Sequence, residues 1–360
     1  SEDKYNTSSG WKDYTKRKNP IAQEHALQDC VDAKCIKENQ PATLGTRATM
    51  GKTGVNARNI FMAAMAVNVY GQRFQQPLQD YIRSLHMDFF LPWEGQDKVQ
   101  ELISRVWTSQ NLKFGADYTK MDQHFNVFHG LEVYDVIKHY FRKDYWDELK
   151  ETIQYVFSVP IITNLGLVDQ AHAMPSGSEW TNFLETVWNF IFTIYLELKY
   201  HLKFIARMGI GDDQLWFLDG KWSKSGIQWI VDTVIKEFEL AGLPGNPDKQ
   251  EVSSTEATYL RRWYNVKYRP DGYTRGVYST CRALGRLCRQ ERFYDPDDWG
   301  EKMVVLRYLS IIENVKWHPL RDQFADFCIE RDFKTRLGLN IPGFLDRIEY
   351  EARKANDKIK

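Results

Sequence analysis

Long apolar runs are missing from this sequence of 360 residues. The two most apolar stretches, Phe61 to Tyr70 and Phe183 to Tyr195, fall short of the roughly 18 apolar residues that a membrane-spanning helix needs. The first twenty residues carry Lys16, Arg17 and Lys18 instead of the apolar core of a secretory signal. We therefore expect a soluble, non-secreted protein without a membrane segment.

The sequence also lacks a net charge, and it lacks the even number of cysteines that a set of disulfides would use. The 48 Lys and Arg residues balance 48 Asp and Glu residues, so a polyanionic partner must be met by local basic patches. Five cysteines are an odd number, which argues against a disulfide framework and for a reducing compartment. Repeats and Gly/Ser linkers are absent, and 43% hydrophobic residues predict a large core divided into two or three lobes.

Hydrophobic spacing predicts a mixed chain of helices and strands. Leu112 to Tyr118 has strand character and precedes a helical stripe that extends to Phe141. A loop containing Pro175 precedes a predicted helix from Thr181 to Phe204. The apolar runs Ala206 to Ile210 and Gln214 to Leu218 predict a tight hairpin. Further along, the pattern predicts a helix that ends at Gly242, a second hairpin near Tyr264 to Tyr278, and mostly helices from Thr280 onward.

Two adjacent carboxylates, Asp212 and Asp213, lie in the turn of the tight hairpin. Between apolar runs their repulsion needs a compensating cation, although Gly-Asp-Asp is also an ordinary surface turn. Asp117 ends another apolar run, and Asp122 follows it by five residues. If the two strands are neighbours, three carboxylates converge as ligands for two magnesium ions, which lie roughly 3.5–4 Å apart in phosphoryl-transfer sites. The alternative is a solvated Asp117 and a helix N-cap at Asp122.

Three ordered motifs decide between these interpretations. Residues 116–122 read Ala-Asp-Tyr-Thr-Lys-Met-Asp, residues 175–181 read Pro-Ser-Gly-Ser-Glu-Trp-Thr, and residues 211–213 read Gly-Asp-Asp. Their order and spacing resemble motifs A, B and C in the palm of viral RNA-dependent RNA polymerases. The residues around them are most similar to those of the picobirnavirus polymerases, with the partitiviruses as neighbours.

The resemblance extends on both sides of these motifs. Arg47, Lys52 and Arg58 are similar to motif F, which implies that they hold the triphosphate of the nucleotide. Residues 7–11 resemble motif G, which guides the template. Lys249 follows the hairpin in a stretch similar to motif D, whose lysine protonates the pyrophosphate leaving group; a solvated loop lysine is the alternative. Residues 259–263 resemble motif E, the primer grip, which implies RNA contacts for Arg261 and Arg262. From Arg261 to Arg292, nine Lys or Arg residues stand against two acidic ones, and this local charge predicts a basic surface for a duplex backbone.

The motif B resemblance implies nucleotide contacts for Ser176, Gly177 and Thr181. Many family members have Asn four residues after the threonine, where this chain has Glu185, with Asn182 and Asn189 nearby. These alternatives leave the motif B residue that meets the ribose open. Asp122 is the predicted sensor of the 2′-hydroxyl, a group that both donates and accepts hydrogen bonds.

The resemblance implies an α+β right-hand polymerase with a small antiparallel sheet on helices, fingers and a helical thumb. The predicted divisions are fingers 1–110, palm 111–126, a fingers insertion 127–165, palm 166–265 and thumb 266–360. A chain that begins with Ser is expected to be a trimmed piece that lacks part of the N-terminal fingers. The predicted reaction is template-directed RNA synthesis, with Asp117, Asp212 and Asp213 holding two Mg²⁺ or Mn²⁺ ions and Lys249 assisting.

The implied partners are an RNA template, the product duplex and ribonucleoside triphosphates, with a viral capsid protein as a further one. The implied location is the virion interior or the host cytoplasm. Two other classes stay open. A non-catalytic, polymerase-like RNA-binding or scaffold module would not need the intact carboxylates. A reverse transcriptase normally has an aromatic residue in place of Gly211 and a bulky residue in place of Asp122.

Overall fold

Helices make up most of the regular structure, and a computed structural model describes residues 7–50, 55–108, 110–289 and 300–359. The helices are α1 (Pro20–Cys30), α2 (Lys34–Lys37), α3 (Met65–Ser84), α4 (Gln96–Val106), α5 (Met121–His124), α6 (Val127–Ile137), α7 (Trp146–Val156), α8 (Trp180–Tyr200), α9 (Lys224–Leu240), α10 (Thr280–Cys288), α11 (Glu301–Glu313), α12 (Arg321–Arg331) and α13 (Ile348–Ile359). The predicted helical character beyond residue 280 is confirmed for the described part.

The strands form three small sheets. They are β1 (Ala42–Met50), β2 (Val55–Met62), β3 (Leu112–Ala116), β4 (Ile161–Thr163), β5 (Gly166–Val168), β6 (Phe204–Ile210), β7 (Asp213–Leu218), β8 (Glu251–Ser253), β9 (Glu256–Tyr259), β10 (Arg262–Asn265) and β11 (Val277–Tyr278). Their orders are β2-β1-β4-β5, β6-β7-β3-β8 and β11-β10-β9. The sheet with the order β6-β7-β3-β8, the central sheet, is wholly antiparallel. It contains both the predicted motif A strand and the predicted tight hairpin.

This central sheet packs on helices through aromatic side chains. Phe114 of β3 stacks on Trp216 of β7 with ring centroids 5.1 Å apart. Between the layers, Tyr118, just beyond the end of β3, meets Phe238 of α9 with ring centroids 4.2 Å apart. All four side chains are at most 5% exposed. Burial of rings this large contributes most of the stabilisation of such a core, so the sheet provides a rigid base for residues at its edge.

The long helix α8 differs from its predicted bounds at the C-terminal end. We predicted a helix from Thr181 to Phe204, but α8 ends at Tyr200 and Phe204 begins β6. His201 adopts a left-handed conformation with φ of +53°, which ends the helix without a glycine. The apolar spacing continues past this point because the next residues enter a buried strand. Helix α9 ends as predicted, with Gly242 at φ of +78° after its last turn.

Both predicted hairpins are present. β6 and β7 pair antiparallel, and β10 pairs with β11 through Arg262 opposite Tyr278 and Trp263 opposite Val277. Two sheet contacts cross the predicted divisions of the chain. The β4–β5 hairpin spans the boundary at 165, and β11 extends the last sheet beyond 265.

Two expectations about absent features can be compared with the structure. None of the helices in the described ranges combines the length and the apolar character that crossing a bilayer requires. All five cysteines are free thiols, as the odd count predicted.

Candidate active site

The carboxylates of the sequence motifs follow one edge of the central sheet. Ala116, the last residue of β3, pairs with Gln214 of β7, so Asp117 lies at the level of Asp213. Asp213 begins β7, and Asp212 precedes it in the turn of the hairpin. The predicted adjacency of strand and hairpin is therefore confirmed, and it results from antiparallel pairing between segments almost a hundred residues apart.

The negative charges at this edge act on one another. The pKa of Asp213 is raised to about 6, first by desolvation and then by the charges of Asp212 and Asp117, while the charge of Arg261 opposes the shift. Oxygen-only donors under mutual repulsion fit hard divalent cations such as Mg²⁺. Within the described residues, however, no three His, Cys, Asp or Glu side chains are gathered closely enough to hold an ion. The carboxylates are thus neighbours with suitable chemistry, not an assembled ligand set.

The loop before β8 brings a lysine to the first carboxylate. Nζ of Lys249 lies 3.2 Å from Oδ2 of Asp117. Gln250 donates through Nε2 to the main-chain oxygen of Asp117 at 2.7 Å, which fixes the loop against the end of β3. Because the Lys249 side chain is 62% exposed, this ion pair adds little stability. Its ammonium is instead accessible to solvent.

Asp122 lies on α5, just beyond the end of β3, and it contacts the loop that precedes α8. The hydroxyl of Ser176 donates a hydrogen bond to the Asp122 carboxylate. The carbonyl of Ser176 accepts the N–H of Phe61, a residue of β2, at 3.1 Å. These two bonds connect the motif B loop to the motif A segment on one side and to the first sheet on the other.

The same loop requires a glycine at its next position. Gly177 has φ of +124°, and a Cβ on it would clash with the carbonyl oxygen of Phe61. Thr181, in the first turn of α8, is positioned by its N–H, which donates to the carbonyl of Ser178 at 3.3 Å. The nucleotide contacts expected of Ser176, Gly177 and Thr181 remain predictions, but all three lie in one tightly held segment.

Glu185 lies on α8, four residues after Thr181. It is 4% exposed, and its pKa is raised well above its usual range, first by desolvation, then by a hydrogen bond to Asp122 and by the charges of Asp122 and Asp212. Its Oε1 atom finds no hydrogen-bond partner among the described residues.

Asn182 and Asn189, the two asparagines considered for the ribose contact, have different surroundings. Asn182 accepts a hydrogen bond from Nε1 of Trp93 at 2.9 Å. Asn189 is completely buried, and its Nδ2 donates to the carbonyl oxygen of Gly211 at 2.7 Å. Asn189 therefore contacts the β6–β7 hairpin and has no exposed surface that could contact a ribose.

The predicted motif F residues map to the β1–β2 hairpin of the first sheet. Arg47 on β1 is exposed and is in register with position 58 on β2. Lys52 lies outside the described residues, as does Arg292 in the basic segment. For Arg58 the backbone position is described, and it places this residue on the same hairpin as Arg47.

Arg261 and Arg262, the two arginines of the motif E segment, have different surroundings. Arg261, with φ of +64°, lies in the turn between β9 and β10, and its positive charge acts on Asp213. Arg262 donates through Nη2 to Oδ1 of Asn314 at 2.9 Å and lies over the ring of Tyr278. Arg261 therefore belongs to the carboxylate edge, whereas Arg262 connects the last sheet to the helices that follow it.

Sequence reasoning missed several polar residues around this edge. Gln250, Tyr118 and Gln214 directly follow Lys249, Asp117 and Asp213, and each makes a hydrogen bond that helps hold the edge. Their position next to a motif residue was the available signal. No local pattern distinguishes them from ordinary strand or loop residues.

Known proteins resemble this chain over most of its length. It matches the family described as viral RNA-dependent RNA polymerase over residues 30–280. A protein of human picobirnavirus (strain Human/Thailand/Hy005102/-), described as a potential RNA-dependent RNA polymerase, is 36% identical over 370 residues, which covers 98% of this chain and 67% of that protein.

Solved structures agree with the sequence match. The crystal structure of the RNA-dependent RNA polymerase of a human picobirnavirus has a TM-score of 0.83 and 34% identity, covering 98% of this chain and 69% of that one. The crystal structure of an insertion loop deletion mutant of a human picobirnavirus RNA-dependent RNA polymerase has a TM-score of 0.78 and 37% identity, covering 88% of this chain and 62% of that one.

Proposed function

The chain belongs to the viral RNA-dependent RNA polymerase family, and we propose that it adds ribonucleoside triphosphates to an RNA 3′ end by a two-metal-ion mechanism. Its fold is the α+β right-hand polymerase fold that the sequence predicted, and its enzyme class is RNA-dependent RNA polymerase. We assign the synthesis to replication and transcription of a viral RNA genome. The substrates of this class are an RNA template and nucleotides.

The observation that carries the proposal is the carboxylate edge. Asp117 and Asp213 are at the same level of two paired strands, with Asp212 in the adjoining turn. Asp117, Asp212 and Asp213 would hold the Mg²⁺ or Mn²⁺ ions. When bound, such ions polarise the attacking hydroxyl and neutralise charge on the transferred phosphoryl group. Desolvation, followed by the charges of Asp212 and Asp117, raises the pKa of Asp213, and a cation at this edge would offset both effects.

The residues of the chain itself then bind, orient and transfer protons. Lys249, 3.2 Å from Asp117, is suited to protonate the pyrophosphate leaving group from its accessible position. Asp122 would accept a hydrogen bond from the 2′-hydroxyl of the ribose, with Ser176 and Glu185 fixing the orientation of its carboxylate. Arg261 would contact the RNA close to the site of addition, as its influence on Asp213 suggests.

The other assignments extend this scheme. Arg47, Lys52 and Arg58 would bind the triphosphate, Gly177 and Thr181 would shape the nucleotide pocket, and Arg262 would hold the last sheet against the thumb. The fingers, palm and thumb would follow the predicted divisions, adjusted where the β4–β5 hairpin and β11 cross them. A viral capsid protein as partner, and the virion interior or host cytoplasm as location, complete the proposal.

The direct test is incorporation of labelled ribonucleotides by the purified chain on an RNA template, with Mg²⁺ or Mn²⁺ and with or without a primer. We expect template-dependent product that a chelator abolishes and that readdition of the metal restores. Tight RNA binding with no incorporation under either metal would contradict the enzymatic proposal and favour a non-catalytic RNA-binding module.

A further inference from the structure

The buried side-chain amide of Asn189 forms hydrogen bonds to three residues. Each of them is adjacent in the sequence to one of the carboxylates Asp117, Asp212 and Asp213. Asn189 of α8 is 0% exposed. Its Nδ2 donates to the carbonyl oxygen of Gly211, which precedes Asp212. Its Oδ1 accepts from the hydroxyl of Tyr118 at 2.5 Å and from Nε2 of Gln214 at 2.9 Å. Tyr118 follows Asp117, and Gln214 follows Asp213.

The amide matches the hydrogen-bonding needs of all of these partners. An asparagine side chain offers two donors and one oxygen that accepts two bonds. Both bonds to Oδ1 come from donors, and the bond from Nδ2 goes to an acceptor. Leucine has a similar shape but would leave all three partners without their bonds to this side chain. Aspartate is a poor probe, because burial favours its neutral form, which can still donate to Gly211.

The turn is held from α8 at a second point. The N–H of Gly211 donates to Oγ1 of Thr186 at 2.8 Å. Thr186 and Asn189 are three residues apart and share one face of α8. Both main-chain polar groups of Gly211 therefore end on this helix, so the turn cannot shift along the helix without breaking two buried hydrogen bonds.

We infer that Asn189 is a positioning residue that sets the hairpin carboxylates Asp212 and Asp213 against Asp117. This inference rests on the proposed function and adds a role that the sequence motifs do not assign. Reaction rates are sensitive to such positioning, because a displacement of about 1 Å of reacting groups can cost about a hundredfold in rate. The substrate-binding residues Ser176 and Arg47 make none of the three contacts, so substrate affinity should be independent of Asn189.

The test compares Asn189→Leu with Thr193→Val. Thr193 is one turn further along α8 and is equally buried, and its hydroxyl donates to the carbonyl of Phe190 in its own helix. We expect kcat of Asn189→Leu to fall about 10- to 100-fold with nucleotide KM and RNA affinity within twofold of wild type. Thr193→Val should keep wild-type kcat. Mn²⁺ binding to the protein alone, measured by electron paramagnetic resonance, should weaken several-fold in Asn189→Leu only.

Three outcomes separate the inference from the function. Asn189→Leu with the kcat and Mn²⁺ affinity of Thr193→Val overturns the positioning role while leaving the polymerase assignment intact. An inactive wild type overturns the function, whereas the Mn²⁺ measurement still reports on the positioning role. If Asn189→Leu does not fold, Tyr118→Phe replaces it: a kcat reduced several-fold at unchanged KM supports the role, and a wild-type kcat overturns it.

Discussion

Replacing Gly177 by alanine tests how strictly the motif B loop is held. Gly177 has φ of +124°, a conformation that is costly for any residue with a Cβ. In addition, the new methyl group would clash with the carbonyl oxygen of Phe61 on β2. Because this neighbour is backbone in a sheet, it cannot rotate away, so the loop itself must move.

The magnitude follows from these two effects and from a matched control. Gly166, the first residue of β5, has φ of +125°, and apart from its chain neighbours no heavy atom lies within 4 Å of the position where a Cβ would lie. Gly166→Ala therefore incurs only the backbone strain, about 1–3 kcal/mol. If the loop keeps its position, Gly177→Ala should lower the free energy of unfolding more than Gly166→Ala does. If the loop moves, the Phe61–Ser176 and Ser176–Asp122 hydrogen bonds are lost. Displacement of Ser176, the hydrogen-bond partner of Asp122, should lower kcat/KM for nucleotides about a hundredfold.

The assays are urea unfolding and steady-state nucleotide incorporation on saturating RNA. We expect both alanine variants to lose stability, with a large loss of kcat/KM in Gly177→Ala alone. The reasoning is refuted if Gly177→Ala retains wild-type kinetics, or if Gly166→Ala loses activity to the same extent. The first result would mean that the loop tolerates the shift, and the second that general destabilisation explains the effect.

Four further variants test other parts of the structure. Asp122→Ala should raise the use of deoxynucleotides relative to ribonucleotides several-fold to a hundredfold, measured by competing the two substrates; an unchanged preference would refute the ribose role. Arg261→Ala should reduce the salt slope of RNA binding by about one unit, whereas Arg262→Ala should lower stability by about 1 kcal/mol and leave the slope unchanged; identical slopes would contradict the division. Burial lowers the pKa of Lys113 to about 8. The folded ammonium then loses its proton before the unfolded one, so wild-type stability relative to Lys113→Met should rise by about 2 kcal/mol from pH 7 to 9.5, and a flat difference would refute the shift.

The parts of the site that sequence reasoning predicted correctly are those encoded by local pattern. The turn of the β6–β7 hairpin was predictable because Gly211 separates two apolar runs of strand length, and Gly supplies the positive φ of the turn. Helix α9 was predictable because its apolar stripe stops at a glycine. Both signals depend on residues within a few positions of each other.

What could not be predicted depends on contacts between distant segments. The pairing of Lys249 with Asp117 requires β8 to lie beside β3, and neighbouring residues do not encode this pairing. The early end of α8 was missed because His201, not glycine, takes the left-handed conformation. Asn189 was a candidate for the ribose contact because it lies near Thr181 and Glu185 in the sequence, but tertiary packing directs its side chain to the hairpin.

The measurement that tests the central claim most directly compares Asp212→Asn with Asp219→Asn in RNA-templated ribonucleotide incorporation. Asp219 directly follows β7, at the end of the strand opposite Asp212, and forms a surface ion pair with Lys203 at 2.6 Å. We predict that Asp212→Asn lowers incorporation at least about 100-fold with RNA affinity unchanged, while Asp219→Asn retains wild-type activity. Near-normal incorporation by folded Asp212→Asn protein would contradict the assignment of this edge as the catalytic centre.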